Sequence, residues 1–367
     1  MVSDQLSSQN NAGSEGPLSA ALLDSIVNLV ELSNSELTLA SGGESLPVTS
    51  LLLDALLDLL GDRRPDLLAH SQRIGYLCAG VAAELKWTRK WTNNLVCAGL
   101  LHELGTLTLP SPREYWNSLG TTDERLARNV SIDFLEATHG DSDLLEILSL
   151  SHNFRYRTHL DEETPRYVLQ GAAALSAVRF FETCRVLPEN PRQAPELLAA
   201  LRTIYNRSEE ETEVINALES WLQSESDANI DPAIFLPSTM SNDPETAEIV
   251  RETFQEILDA FRILQTSFDS FFMLDGTGRF QIWSSQSENF LGRSVRAMRN
   301  THWSNEIVKY CNEEGFPFSD AQTPLYQTLT TGKPSRLHLC MQDINERLFE
   351  VEVNAIPIIG RDQLMQA

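Results

Sequence analysis

The sequence predicts a multidomain chain: an all-α helical domain joined, through a helix with heptad spacing, to a smaller α+β domain. Three observations predict this. Apolar residues recur at helical spacing, without convincing strand alternation, as far as residue 223. A polar stretch with three prolines, residues 224–246, then interrupts the pattern and reads as a linker. Beyond residue 268 the period changes to short alternating runs separated by glycine-containing turns. With 367 residues there is room for two or three domains, and a hydrophobic fraction of 42% is ample for buried cores.

Residues 1–17 lack the basic residues and apolar core of a secretion signal and read as a disordered polar leader. The longest apolar stretches, ALLDSIVNLVEL and SLLLDALLDLLG, are broken by Asp, Asn or Glu. Neither reaches the roughly 18–20 apolar residues of a membrane span. The expectation is a cytoplasmic protein. A net charge of −24 argues against nucleic-acid backbones and anionic membrane surfaces as partners, while leaving room for a local basic pocket. The five cysteines, Cys78, Cys97, Cys184, Cys311 and Cys340, form no CxxC pair and read as buried, reduced thiols.

The helical domain is expected over 18–223. Leu22, Ile26, Leu29 and Val30, then Leu51, Leu52, Leu56 and Leu59, mark two helices separated by a loop containing Gly42, Gly43 and Pro47. Further helices are expected near 66–86, 90–104, 122–138, 142–153, 165–186, 193–206 and 209–223, the last opened by a Ser208/Glu211 capping box. In the helix over 247–267, Ala247, Val250, Phe254, Ile257, Phe261, Leu264 and the following Phe268 alternate in steps of three and four, a heptad seam. Such a seam pairs with a second copy or packs on its own domain. The first reading is preferred here, a coiled-coil signalling helix in a homodimer. Residues 268–367 contain a strand, a D-G-x-G turn, a second strand and a short helix. RLHLCMQD and NERLFEVEVNAIPII follow, giving four strands in all, and a last strand reads as cut off at the chain end.

The stretch 67–110 carries His70, Arg73, His102, Glu103, Gly105, Thr106 and Pro110. It resembles the opening of an HD-GYP domain, the metal-dependent cyclic-dinucleotide phosphodiesterase branch of the HD superfamily. There, a His and an Arg on one helix precede a His-Asp pair, Gly-Lys and Pro on the next. Here Glu103 stands for the Asp and Thr106 for the Lys. Glu is a methylene longer, a shift of about 1 Å that can cost on the order of a hundredfold in rate. The resemblance also implies a third His, which His139 stands too late to supply, and a His-His-Glu stretch of which His152 alone matches. The Gly-Tyr-Pro triplet is missing, and Arg179-Phe180 stands where a final Asp should fall. The residual set is therefore His70, His102, Glu103 and His152, read first as satisfied polar residues inherited from such a site and, as the alternative, as a site for a single divalent metal, Fe, Mn or Zn.

Other residues invite less. Trp87, Trp91, Tyr115 and Trp116 read as packing rather than base stacking. Arg155, Arg157 and Arg166 read as partners of Asp161, Glu162 or Glu163. Asp275, Gly278, Leu291-Gly292, Pro324-Leu325, Leu329, Thr331-Gly332, Ala355 and Pro357-Ile358 resemble the pattern of a PAS domain over 268–359, which implies a small-molecule ligand. No cofactor box is present, and His302 and His338 are not set as haem ligands. The resulting fold class is an all-α HD-like helical domain plus an α+β PAS-like domain, joined by a signalling helix. The preferred function is a bacterial signal-transduction protein with a non-catalytic HD-GYP-like domain, a PAS sensor and a signalling partner. The alternative is a metal-dependent phosphohydrolase, a cyclic-di-GMP phosphodiesterase with a divergent site.

Overall fold

The structure is a computed structural model describing residues 50–109, 122–138, 140–153, 164–186, 193–224, 244–343 and 345–358. The leader, the helix expected around Leu22–Val30 and most of the linker lie outside the described residues. Helices fill the first part: α1 Ser50–Arg63, α2 Pro65–Glu84, α3 Arg89–Leu101, a short 3-10 helix Leu104–Thr108, α4 Thr122–Ala137, α5 Ser142–Asn153, α6 Arg166–Val186, α7 Ala194–Ile204 and α8 Glu209–Ser224. None of the described helices is long and apolar enough to cross a membrane.

Local chemistry accounts for the helix starts. Pro65 opens α2 where its missing N–H has no helical partner to lose. At α8, Ser208 Oγ accepts from Glu211 N at 3.2 Å, and the Glu211 carboxylate accepts from Arg207 N at 2.6 Å. The expected capping box therefore forms with its return bond one residue early. α2 and α3 approach closely because glycines meet where they cross. A Cβ on Gly99 would stand 3.1 Å from Gly75 Cα, and one on Gly75 would stand 3.0 Å from the Leu100 side chain. This crossing sets the C-terminal end of α3 beside the first turns of α2.

Helix α9, Pro244–Ser267, carries the residues of the expected heptad seam. Phe254, Ile257, Leu258, Ala260, Phe261 and Leu264 are buried within this chain. Phe254 meets Phe134 of α4 edge-on, centroids 5.8 Å apart. Arg251 pairs with Asp58 of α1 at 2.6 Å, and Gln255 Nε2 donates to Leu107 O at 3.4 Å. The seam from Phe254 to Leu264 is thus covered by this chain's own residues, the packing reading of the stripe. The period says which residues share a face and not whose surface covers it. Burial of Leu258 and Ala260 widens the stripe beyond a two-position seam, as on a globular core.

The C-terminal part holds β1 Phe272–Leu274, β2 Phe280–Trp283, α10 Ser285–Leu291, α11 Val295–Met298, α12 Asn305–Val308, β3 Tyr310–Cys311, α13 Pro324–Thr331, β4 Ser335–Gln342 and β5 Leu348–Ala355. β1 and β2 form an antiparallel hairpin, and β3, β4 and β5 an antiparallel sheet in that order. β3 is a fifth strand among the described residues, where alternation indicated four. At two residues it is too short to show a period. In the β1–β2 turn, Asp275 Oδ1 accepts from Thr277 N at 2.8 Å and Arg279 N at 2.9 Å. An apolar cavity of ≈ 270 Å³ lies between β1 and β5, lined in part by Leu264, Phe268, Leu274, Tyr310, Met341 and Val353.

The two parts meet at α4, which is buried on all sides from Val130 to Thr138. Asp133 and Glu136 lie one helical turn apart on the side facing the β2–α10 junction. Asp133 Oδ1 accepts from Ser285 N at 3.0 Å, and Glu136 Oε1 accepts from Trp283 N at 2.9 Å. Asp133 also accepts from Gln265 of α9, while Glu136 Oε2 has no hydrogen-bond partner. Burial pushes Asp133 up to about 7, against the hydrogen bonds from Ser285 and Gln265. Burial, then the neighbouring Asp133, hold Glu136 well above the usual carboxylate range, and Arg299 opposes them.

A carboxyl whose folded pKa is raised binds its proton in the native state over a window where the unfolded chain has lost it. Its contribution to stability is therefore greatest below that window and declines as pH rises through about 7. Thermal melts should show the parent losing stability from pH 6 to pH 8. Asp133→Asn/Glu136→Gln, which keeps both acceptors but cannot titrate, should flatten that slope. Glu136→Ala strands the Trp283 N–H and should cost about 1–3 kcal/mol. A parent that gains stability over this interval, with the double variant following it, would contradict the assignment.

Candidate metal centre

The Gly75/Gly99 crossing places His70, on the second turn of α2, against His102, the residue that closes α3. Their rings lie 5.6 Å apart between centroids, tilted by 52°. Glu103 follows at the turn into the 3-10 helix, with φ −101° and ψ 5°. All three are buried. One ligand atom from each lies within 4.8 Å of the others, the only such group of His, Cys, Asp and Glu among the described residues. His152 is in the last turn of α5, but its side chain lies outside the described residues, as does His139.

The 3-10 turn is pinned by backbone. Gly105 N donates to Ser131 Oγ of α4 at 2.8 Å, and a Cβ on Gly105 would fall 1.9 Å from Ala127 O. No side chain fits there, so glycine at 105 is what lets the turn carrying Glu103 lie flat on α4. Thr106, standing where the resemblance puts a lysine, donates its hydroxyl to Glu103 O at 2.5 Å and faces its own turn.

His102 Nδ1 lies 2.8 Å from Gly99 O, an atom that can only accept, so Nδ1 carries the proton. In the neutral ring Nε2 is then a lone pair. It is buried, lacks a hydrogen-bond partner, and lies 3.1 Å from Glu103 Oε1 without the alignment of a hydrogen bond. Two facing acceptors fit a cation, and an imidazole whose second nitrogen is held by a backbone carbonyl is oriented as metal-binding histidines are. Two imidazoles and one carboxylate make a borderline donor set suited to Zn or Fe, with coordination positions left open. Burial, then His102, push His70 down to about 3 against the pull of Glu103, so it stands neutral at ordinary pH. Burial would raise Glu103, yet its neighbours outweigh it, first His102 in any state where its ring is charged and then the permanent charge of Arg179, and they hold the carboxyl far below its usual range.

Arg179, on α6, stands where the resemblance called for an acid. Its guanidinium lies 3.5 Å from Glu103 Oε1 and 3.3 Å from Glu124 Oε1 of α4. One turn on, burial, then Arg179, push Arg128 down to about 10. Arg73 of α2 pairs instead with the buried Glu182 of α6. Sequence reasoning passed over Glu124 and Arg128. The available signal was that an arginine in place of an acidic ligand needs an acid elsewhere, and Glu124 opens the helix packed nearest.

The other candidates among the described residues make contacts outside the centre. Trp91 stacks on Tyr167 at 4.4 Å and meets Trp87 edge-on, which is packing at α3 and α6. Tyr115, Trp116, Arg155 and Arg157 lie outside the described residues. Arg166 pairs with Glu213 at 2.8 Å and with Glu209 and Glu210 of α8, while Asp161, Glu162 and Glu163 lie outside the described residues. His302 Nδ1 contacts Trp303 O at 2.9 Å, and exposed His338 faces Glu352 at 3.4 Å.

A family model described as the HD domain matches residues 54–127, from α1 to the first turns of α4. No curated protein matches the chain, and no solved structure does. The match and the helical architecture together support an HD-superfamily domain in this part of the chain, a class that typically binds divalent metals, and the His70/His102/Glu103 group could hold one.

Gly105→Ala should be among the costliest single-methyl additions in this chain. The new Cβ cannot coexist with Ala127 O. Urea unfolding should register a loss at or above the upper end of the about 1–3 kcal/mol typical of overpacking. Gly61→Ala meets only the movable end of Leu68 and serves as the control. Equal losses for the two would contradict the backbone contact.

Proposed function

We propose that this chain is a bacterial cytoplasmic signal-transduction protein in which a non-catalytic HD-GYP-like domain is coupled to a PAS-like sensor. The observation that carries the reading is the guanidinium of Arg179 beside Glu103. Arginine cannot be deprotonated in proteins. It therefore places a permanent positive charge where a hydrolytic centre of this kind needs a further acidic ligand. That charge neutralises the carboxylate and repels a dication. Three donors suffice for at most one ion, and Thr106 offers no cation to a phosphate. The PAS-like reading is supported by the α+β architecture after α9, by Gly292 and Gly332 closing α10 and α13, and by the apolar cavity beside β1 and β5. Output then comes from biasing conformations of the α4 contact rather than from bond cleavage.

A second reading, a divergent metal-dependent phosphohydrolase, is favoured by the unpartnered Nε2 of His102. His70, His102 and Glu103 would hold one divalent ion, and Arg128 and Arg179 would face the phosphate. When bound, such an ion supplies Lewis-acid polarisation of a phosphoryl oxygen.

Assays of cyclic di-GMP hydrolysis with added Mn or Fe should give no turnover by the parent. Turnover approaching about 1 s⁻¹ that His102→Ala abolishes would establish the second reading instead. Arg179→Asp tests the electrostatic argument directly. Removing the fixed cation and restoring an acid should tighten divalent-metal binding by about 10- to 100-fold, the range seen when groups around metal ligands are altered. Titration calorimetry with Mn that finds parent and variant alike would refute it.

A further inference from the structure

Two cysteines far apart in sequence become direct neighbours in the C-terminal sheet. Cys311 of β3 faces Cys340 of β4 in the antiparallel register. Neither is in a disulfide, and both are buried at the floor of an open cleft of ≈ 620 Å³ that also exposes Glu313, Glu314, His338 and Glu350. Directly opposed residues project from the same face of a sheet. Gln342 N donates to Lys309 O at 3.3 Å. Because hydrogen-bonded pairs alternate along an antiparallel ladder, Cys311 and Cys340 form the next such pair, with Cα atoms about 5.5 Å apart. That lies within the about 4.4–6.8 Å spanned by disulfides.

We propose that Cys311 and Cys340 form a reversible cross-strand disulfide, a redox-modification site outside the helical domain, with a peroxide as oxidant. One thiol ionises, its thiolate attacks a peroxide oxygen and the O–O bond breaks, giving a sulfenic acid and a hydroxide that takes up the released proton as one water. The second thiol attacks the sulfenic sulfur, the S–O bond breaks and a second water leaves. Two thiols lose two electrons and two protons, and one hydrogen peroxide becomes two waters. A dithiol reverses the change by exchange.

The surroundings shape this chemistry. Burial, then the partner thiol, raise Cys311, while burial, then Glu350, Glu313 and Glu314, raise Cys340. The thiols stay protonated and react slowly, and the carboxylates disfavour anionic thiols and disulfides over a small neutral peroxide. Opposed Cβ atoms at about 4.5–5.5 Å must close to about 3.5–4.5 Å. The bond therefore forms under strain and is readily reduced. Closing it also fixes the adjacent pair Tyr310 and Met341, which line the apolar cavity on the other face. Oxidation thus stiffens one wall of that cavity.

The test uses the full chain exposed to hydrogen peroxide, alkylated under denaturing conditions and mapped by non-reducing mass spectrometry. The expected result is loss of two of the five thiols, a linked pair of peptides containing Cys311 and Cys340 lighter by two hydrogens, and recovery of both thiols with dithiothreitol. Cys78, Cys97 and Cys184 should remain alkylated. In Cys340→Ser the link should vanish and a sulfenic-acid trap should label Cys311. Hydrogen exchange at β3 should slow on oxidation. Five free thiols after peroxide, a link through any other cysteine, or unchanged exchange in β3 would overturn the proposal. The peptide map of the parent stands whether or not the serine variant folds.

Discussion

Asp133 and Glu136 reach out of one helix to accept backbone N–H groups from Ser285 and Trp283. The arrangement of the two halves follows from what those bonds require. A backbone N–H taken out of water must be paired, at a cost of about 1–3 kcal/mol if it is not. The end of β2 and the first turn of α10 leave two such groups facing α4, and α4 answers with two acids one turn apart. Gln265 joins from α9, while Arg299 donates to Gly140 O and Glu136 O, closing the rim. Helix, hairpin and α9 therefore dock as a set. Among the described residues no cation pairs with these carboxyls at short range, so their protonation is drawn into the docking.

The metal-like centre shows the opposite solution to a buried charge. Glu103 is as deeply buried as Glu136, yet one is held ionised and the other is driven toward its neutral form. The difference is the permanent charge of Arg179 beside Glu103. A guanidinium at 3.5 Å does for Glu103 part of what a bound ion would do, without the open coordination positions that make an ion useful to a substrate. Histidines and carboxylate can thus stay gathered on a scaffold of glycines, because the close contacts at Gly75, Gly99 and Gly105 fix their backbones whether or not a metal is bound.

Much of the helical part was legible because a period of 3.6 residues survives in any sequence that buries one face of a helix. The His70/His102-Glu103 pairing was legible because its members sit on consecutive helices joined by a short turn. What escaped has a common cause. The partner of the α9 stripe, the acid that answers Arg179, the helix that pairs with Arg166 and the neighbour of Cys311 are all set by contacts between segments distant in sequence. β3 escaped for another reason, being too brief to show a pattern. The carboxylates of α4 drew no reading, since nothing in DFLEAT announces that the side opposite the core is also covered.

Helix α4 spans 16 residues, about 24 Å from end to end. Its first turns carry Glu124 and Arg128 against Arg179, and its last carry Asp133 and Glu136 against the sheet hairpin. It is a stiff rod held at one end by charged side chains and at the other by carboxyls that accept backbone N–H groups, with packed helices along its length as a bearing. A tilt of about 5° pivoting on the hairpin end would sweep the far end by about 2 Å over that length, roughly the difference between an ion pair and a solvent-separated one. On such a rod a displacement small at the sheet contacts would be several times larger at the ion pairs of Arg179.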